Sequence, residues 1–141
     1  MGSEMCIRDS MKHARVLKLS DEDLEYLAPD QPLMEAFEHI CSETKAAIII
    51  LTKGADGAVV RCGSTQFDVA AAQANPLVDT VGAGDTFMGT LLVEISKTGL
   101  SASKLGSIAE NELTQIVTRA AKAAALNCQS AGCNPPYEQD L

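Results

Sequence analysis

The sequence has no apolar run that approaches the roughly 20 residues needed to cross a bilayer. It also has few basic residues: 11 Lys and Arg stand against 19 Asp and Glu, a net charge of −8, and the basic residues are scattered. Because an acidic chain without a basic patch repels polyanions, neither a nucleic acid nor a membrane is an expected partner. With 141 residues, of which 46% are hydrophobic, the chain is long enough for one domain with a buried core.

The cysteines and histidines show no metal-binding or disulfide spacing. The five cysteines are Cys6, Cys41, Cys62, Cys128 and Cys133. Their number is odd and no pair has CxxC spacing, which argues against a disulfide framework or a zinc knuckle and favours a reducing, cytoplasmic location. His13 and His39 lie far apart in the sequence, so each is expected at the surface.

Residues 1–10, MGSEMCIRDS, do not fit the segments that follow them. They lack the apolar region of a secretory signal and resemble a linker-derived leader that recurs in translated environmental sequences. We therefore expect residues 1–10 to be non-native, and the native part to begin near Met11, almost directly in a strand.

Strands and helices alternate along the rest of the chain, which favours an α/β fold. The predicted strands are 14–19, 46–51, 57–62 and 65–70, the last two forming a hairpin around Gly63 and Ser64. The predicted helices are one that begins after Ser20 and ends at Pro29, then 32–44, a helix from Ala83 to before Gly99, and 110–129. The continuous apolar run AAIIIL at 46–51 predicts a strand buried on both faces, as in a parallel sheet.

A glycine-rich turn precedes the third of these helices, in the stretch VDTVGAGDTF. A helix N-terminus has N–H groups without partners and a partial positive charge, and glycine lets an anion approach that backbone closely. Gly82, Ala83 and Gly84 are therefore candidates for an anion hole, beside which Asp85 is placed as a base for a hydroxyl that attacks a bound phosphorus. The alternative is structural: a tight turn in which Asp85 caps the helix or complements its dipole.

The same stretch resembles the D-T-x-G-A-G-D signature of the PfkB (ribokinase-like) sugar kinases, completely over residues 79–85 and onward into Thr86, Phe87 and Gly89. The resemblance implies a ribokinase-like α/β fold, a mostly parallel sheet flanked by helices, of which this chain holds only the C-terminal part. It implies ATP-dependent phosphorylation of a sugar hydroxyl. Asp85 would be the catalytic base, and the backbone of residues 82–84 would stabilise the transferring phosphoryl group.

Two further segments match the family in order and spacing. LTKGADG at 51–57 resembles its T-x-G-x-x-G segment, which implies that Thr52, Gly54 and Gly57 contact ATP phosphates; the alternative is that these glycines only turn one strand into the next. Ser20 and Asp23 stand where the family has N-x-x-E, which implies that Asp23 organises Mg²⁺ through water. The alternative there is a helix capping box.

The resemblance also implies a potassium ion beside the anion hole, held by Asp79 and the carbonyl of Val81; the alternative for Asp79 is an Asx turn. Gly132 and the loop 130–132 would form part of the nucleotide site. Alanines of the last helix would line the adenine pocket, unless they serve only close packing.

The resemblance covers residues 11–141, the C-terminal ATP-binding and catalytic portion of such a kinase, and is greatest to the fructokinase branch. The N-terminal sugar-contacting strands are absent, so we expect this polypeptide to have no appreciable turnover alone. The expected ligands are ATP, Mg²⁺ and a small sugar, with a homodimer expected for the full-length enzyme. Ribokinase, 2-keto-3-deoxygluconate kinase, nucleoside kinase and a non-catalytic nucleotide-binding remnant stay open. A Rossmann-type oxidoreductase is disfavoured because no GxGxxG follows a first strand.

Overall fold

The computed structural model describes the backbone of residues 2–141 and the side chains from Met5 onward. The chain forms two compact units. One comprises the residues up to Asp68 together with Ala102–Ser107, and the other comprises Val69–Ser101 and Ile108–Leu141.

The first unit is built on a four-stranded sheet with the order β1-β2-β3-β4. Its helices and strands are α1 (Gly2–His13), β1 (Val16–Ser20), α2 (Asp21–Leu27), α3 (Leu33–Glu43), β2 (Ile48–Thr52), β3 (Ala58–Cys62) and β4 (Thr65–Val69), with 3-10 turns at Gly54–Asp56 and Ala102–Ser107. The apolar run of β2 is buried as predicted, since Ile48, Ile50 and Leu51 are fully buried. The α/β class is confirmed.

The parallel part of this sheet is smaller than the resemblance implied. β1 and β2 pair in parallel, whereas β2 and β3 pair antiparallel. The reason is the connection 53–57, which is too short for the crossover of a dozen or more residues that a parallel neighbour needs. The mostly parallel sheet is therefore not seen within these four strands.

The first residues of the chain also depart from expectation. Met11, near which the native part was expected to begin, belongs to the helix α1 and is only 5% exposed, because it packs into the core cluster that contains Phe37 and Ile40. Arg8 holds the same helix to the rest of the unit, with hydrogen bonds of 2.8 Å to Glu43 and 3.0 Å to the carbonyl of Leu27. That residues 1–10 are non-native stays a prediction, and Met1 lies outside the described residues.

The second unit is formed by two helices packed against each other, α4 (Ala83–Lys97) and α5 (Glu110–Asn127), and the loops around them. Phe87, Leu91 and Ile95 make the buried stripe predicted for α4. In α5, Ala120 is fully buried in the same stripe as Leu113 and Val117, which supports close packing for that alanine. In the part of the chain that the structure describes, no helix has the length and apolarity needed to cross a membrane.

Candidate active site

The glycine-rich turn enters α4 through a backbone conformation that requires glycine. Gly82 is the N-cap of α4 and has φ 78° and ψ 1°, in the left-handed region. An L-residue with a side chain is strained there. Helix α4 begins at the next residue, so its first amides follow directly on Gly82.

The amides of this turn do not all match the predicted anion hole. The N–H of Ala83 donates a hydrogen bond of 3.1 Å to the carbonyl of Thr80, so it is already satisfied. Among the residues that the structure describes, no acceptor is found for the N–H groups of Gly82, Gly84 and Asp85. The donors available to an anion are therefore those of Gly82, Gly84 and Asp85, and Asp85 takes the place that the sequence assigned to Ala83.

Asp85 presents an exposed carboxylate at the third position of α4. The capping alternative predicts that its side chain accepts a hydrogen bond from the N-cap, yet the N-cap of α4 has no side-chain hydrogen bond. Within the described part of the chain, the carboxylate also has no ion pair. An unpaired carboxylate beside amides without acceptors can take up a proton from a ligand hydroxyl held at that turn.

Asp79 ties the start of the turn to the loop that follows α5. Its Oδ1 accepts a hydrogen bond of 3.0 Å from the amide of Val81, and its Oδ2 accepts one of 2.8 Å from the amide of Gly132. These hydrogen bonds, that from Gly132 first, hold the pKa of Asp79 below its ordinary value. Cys128 adds to the tie, since its carbonyl accepts from the amides of Val78 at 2.8 Å and Asp79 at 3.2 Å.

Asn127 makes a second tie that sequence reasoning missed. Its side chain is fully buried. Its Nδ2 donates to the carbonyl of Val81 at 2.8 Å, and its Oδ1 accepts from the amide of Asn134 at 2.8 Å. The available signal was an amide side chain two residues after the run of alanines in α5, where a buried polar group needs partners.

The candidate phosphate-contacting residues of the first unit lie at the carboxyl end of its parallel strands. Thr52 ends β2 and is paired with Ser20 at the end of β1. The hydroxyl of Thr52 donates to the carbonyl of Leu19 at 3.3 Å. Gly54 and Gly57 follow with positive φ values of 54° and 84°, so the turning role of these glycines is seen directly. Ligands of α/β sheets commonly bind at this edge of the strands.

Asp23 is engaged in a capping box at the start of α2. Its Oδ2 accepts from the amide of Ser20 at 2.8 Å, and the hydroxyl of Ser20 accepts from the amide of Asp23 at 3.0 Å. The capping alternative is thus observed. Asp23 is exposed, and its second carboxylate oxygen stays available for a water-mediated cation.

Neither predicted cation site is formed by a cluster of carboxylate side chains. In the described chain no group of three or more His, Cys, Asp or Glu side chains is placed to hold a metal ion. Both oxygens of Asp79 and the carbonyl of Val81 already face N–H donors of the chain. Since N–H dipoles repel a cation, these residues do not fit a potassium ion in this arrangement.

Comparison with known proteins finds related kinases. The sequence model of the family described as "pfkB family carbohydrate kinase" matches residues 3–140 of this chain. A fructokinase from Escherichia coli is 32% identical over 139 residues, which cover 97% of this chain and 43% of that protein.

Two solved structures resemble the chain at 25% sequence identity. The aminoimidazole riboside kinase from Salmonella enterica, complexed with aminoimidazole riboside and an ATP analog, has a TM-score of 0.74, and the match covers 92% of this chain and 41% of that one. A double mutant of the fructokinase from Vibrio cholerae, in a form with bound fructose, ADP and potassium ion, has a TM-score of 0.75, with 92% and 39% covered. The chain thus spans less than half of each of these proteins and of the E. coli fructokinase.

Proposed function

The chain belongs to the pfkB family of carbohydrate kinases, and we propose that it carries the catalytic base and the phosphate-binding turn of an ATP-dependent sugar kinase. One observation carries the proposal. The exposed carboxylate of Asp85 has no partner among the described residues, and it adjoins the N–H groups of Gly82 and Gly84, which have no acceptor there. The first N–H groups of a helix have no partner within the helix, so those of Gly82 and Gly84 are open to a phosphoryl oxygen of a bound ligand.

The chemistry follows from this pairing of a base with amide donors. Asp85 takes the proton of the sugar hydroxyl as its oxygen forms a bond to the γ-phosphorus of ATP. The bond between that phosphorus and the β,γ-bridging oxygen breaks, and the electron pair leaves with ADP. The amides of Gly82, Gly84 and Asp85 donate to the phosphoryl oxygens, whose negative charge is spread over them in the transition state.

Four further residues are proposed as nucleotide contacts because they match the family's segments. Thr52, Gly54 and Gly57, at the carboxyl edge of β2, are proposed to contact ATP phosphates. Gly132, in the loop after α5, is proposed as a separate nucleotide contact. Mg²⁺, when bound, would neutralise phosphate charge, and the second carboxylate oxygen of Asp23 would hold it through water. No step is assigned to potassium, because the oxygens of Asp79 and Val81 that would bind it already accept hydrogen bonds.

The proposed acceptor is fructose, since the E. coli relative is a fructokinase. Ribose, 2-keto-3-deoxygluconate and nucleosides are the alternatives. The sugar contacts are proposed to lie in the portion of the relatives that this chain does not match, so that the 141-residue chain binds nucleotide without appreciable turnover. A cytoplasmic location and a homodimer of the longer enzyme stay predictions.

The test replaces Asp85 by Asn, which keeps the shape and removes the base. In a protein that also carries the portion of the E. coli fructokinase that this chain does not match, kcat for fructose is expected to fall by about 10²–10⁴-fold, while the Kd for ADP changes by less than about 3-fold. Asp30→Asn is the matched control, because Asp30 is an exposed carboxylate in the turn between α2 and α3. If the chain is instead a non-catalytic nucleotide-binding remnant, neither wild type nor Asp85→Asn should release ADP in a sugar-dependent way. Equal kcat values for wild type and Asp85→Asn would refute the assignment of the base.

A further inference from the structure

The buried carboxamide of Asn127 has its orientation fixed by its two partners. The carbonyl of Val81 requires a donor and the amide of Asn134 requires an acceptor. Only one placement of the Asn127 nitrogen and oxygen satisfies both. Since the side chain is fully buried, neither bond can be exchanged for one to water without opening the structure.

The contact with Val81 controls the amide that follows it. The Val81 carbonyl and the Gly82 N–H belong to one planar trans peptide, in which they point in opposite directions. The hydrogen bond that draws the carbonyl toward Asn127 therefore directs the Gly82 N–H away from it. The side chain of Val81 is 58% exposed, so its packing contributes little to holding this peptide.

The same carbonyl is one that a potassium ion was expected to use together with Asp79. Both carboxylate oxygens of Asp79 accept amide hydrogen bonds, from Val81 and Gly132. The chain itself thus supplies the positive ends of dipoles at each of the three oxygens. A monovalent cation at this place would have to share each of these oxygens with an N–H group whose dipole repels it.

We propose that Asn127 is a positioning residue of the phosphate-facing turn: its buried amide fixes the Val81–Gly82 peptide and takes over the task of a monovalent cation. The inference rests on the proposed function, because it assigns the Gly82 N–H to a phosphoryl oxygen. The inference predicts that the conformation of this turn, and the thermal stability of the chain, do not depend on potassium.

The decisive variant is Asn127→Asp, which has the same shape and still accepts from Asn134, but places a carboxylate oxygen against the Val81 carbonyl. Asn111→Asp is the matched control, since Asn111 is an exposed asparagine of the same helix. Thermal unfolding of each chain is measured in KCl and in N-methyl-D-glucamine chloride at equal ionic strength. We expect the same Tm in both salts for wild type and Asn111→Asp, and a higher Tm in KCl for Asn127→Asp.

Ligand binding separates positioning from mere stability. Calorimetric titration compares ADP with the β,γ-imido analogue of ATP in potassium-free buffer. For Asn127→Asp the affinity for the imido analogue is expected to fall about 10-fold, and that for ADP less, because the turn faces the transferring phosphoryl group. An equal loss for both ligands would point to a structural role alone and would overturn the inference.

The two proposals can fail separately. A wild-type chain that binds neither nucleotide contradicts the proposed function at the level of this chain, while the salt comparison still decides the role of Asn127. A wild-type Tm that rises in KCl but not in N-methyl-D-glucamine chloride overturns the inference even when nucleotide binds. If Asn127→Asp is unfolded in both salts, the Tm values of the wild-type chain in the two salts still decide whether the turn depends on potassium.

Discussion

Gly82 lies directly against the side chain of Cys133. A Cβ placed on Gly82 would overlap the Sγ of Cys133 and would come within 3.0 Å of its Cβ. The backbone of Gly82 is also left-handed, with φ 78°. Two independent constraints, one of space and one of conformation, therefore require glycine at the start of the phosphate-facing turn.

Gly82→Ala is expected to destabilise the chain by about 2 kcal/mol or more, from left-handed strain of about 1–2 kcal/mol and the collision with Cys133. Urea unfolding measures the loss. Cys133→Ala in the same chain should recover the part of the lost stability that is due to collision with the sulfur, and should leave the part that is due to the left-handed backbone of residue 82. Gly89→Ala is the control, because Gly89 lies inside α4 with open space around it, and it should stabilise by up to about 1 kcal/mol. A Gly82→Ala variant as stable as wild type would contradict both constraints.

The pH dependence of stability should report the tie made by Asp79. Amide hydrogen bonds from Gly132 and Val81 lower its pKa from the ordinary value of 3.8. A carboxylate with a depressed folded pKa contributes stability that is complete above the ordinary value and is lost as the pH falls through the folded one. Between about pH 5 and pH 2, the wild type should thus lose stability faster than Asp79→Asn. The urea concentration at the unfolding midpoint, measured across this pH range with Asp30→Asn as control, reports this loss of stability. Midpoints that fall equally with pH in wild type and Asp79→Asn would refute the tie.

The elements that the sequence predicts well are those with a strong local pattern. The isoleucines of β2 and the stripe of Phe87, Leu91 and Ile95 in α4 required no knowledge of tertiary contacts. The helix after Ser20 was also predictable, because its cap is made by residues three apart in sequence. Here the sequence expectation and the structure agree to within about two residues at the ends of these elements.

The features that were missed depend on contacts between distant residues. Helix α1 is held by Arg8 through Glu43, 35 residues away, and nothing in the leader itself indicates this partner. Asn127 bonds to the carbonyl of Val81 across 46 residues, so its role appears only once α5 is packed beside the turn. The satisfied amide of Ala83 depends on the turn geometry at Thr80, which the glycine pattern does not specify.

The capping box of α2 allows the stability role of Ser20 to be separated from a magnesium role of Asp23. Ser20→Ala is expected to cost about 1 kcal/mol in urea unfolding, whereas Ser20→Asn, also a good N-cap, should cost almost nothing. Ser64→Ala, in the exposed turn between β3 and β4, is the control.

The double variant Ser20→Asn with Asp23→Glu restores the N-x-x-E pattern of the family. Because Glu at the third helical position also completes a capping box, its stability should match wild type. Its longer carboxylate should strengthen the Mg²⁺ dependence of ADP affinity, measured by calorimetry with and without Mg²⁺. Equal Mg²⁺ dependence in both chains would assign Asp23 to capping alone.

The cysteines should react with a maleimide in the order of their exposure. Cys6 and Cys133 are exposed, whereas Cys62 and Cys128 are buried. Burial raises the pKa of the Cys62 and Cys128 thiols, which lowers the fraction of the reactive thiolate. Peptide mass mapping over time should therefore find Cys6 and Cys133 modified first.

Modification of Cys133 should also disturb the turn, because its sulfur lies against Gly82. In a Cys6→Ser chain, a maleimide adduct on Cys133 is expected to weaken binding of the β,γ-imido ATP analogue. The bound analogue should in turn slow labelling of Cys133, whereas in the wild-type chain it should leave the rate at Cys6 unchanged, which serves as the internal control. If the adduct left the affinity intact and the analogue gave no protection, the loop that carries Cys133 would not border the phosphate-binding surface.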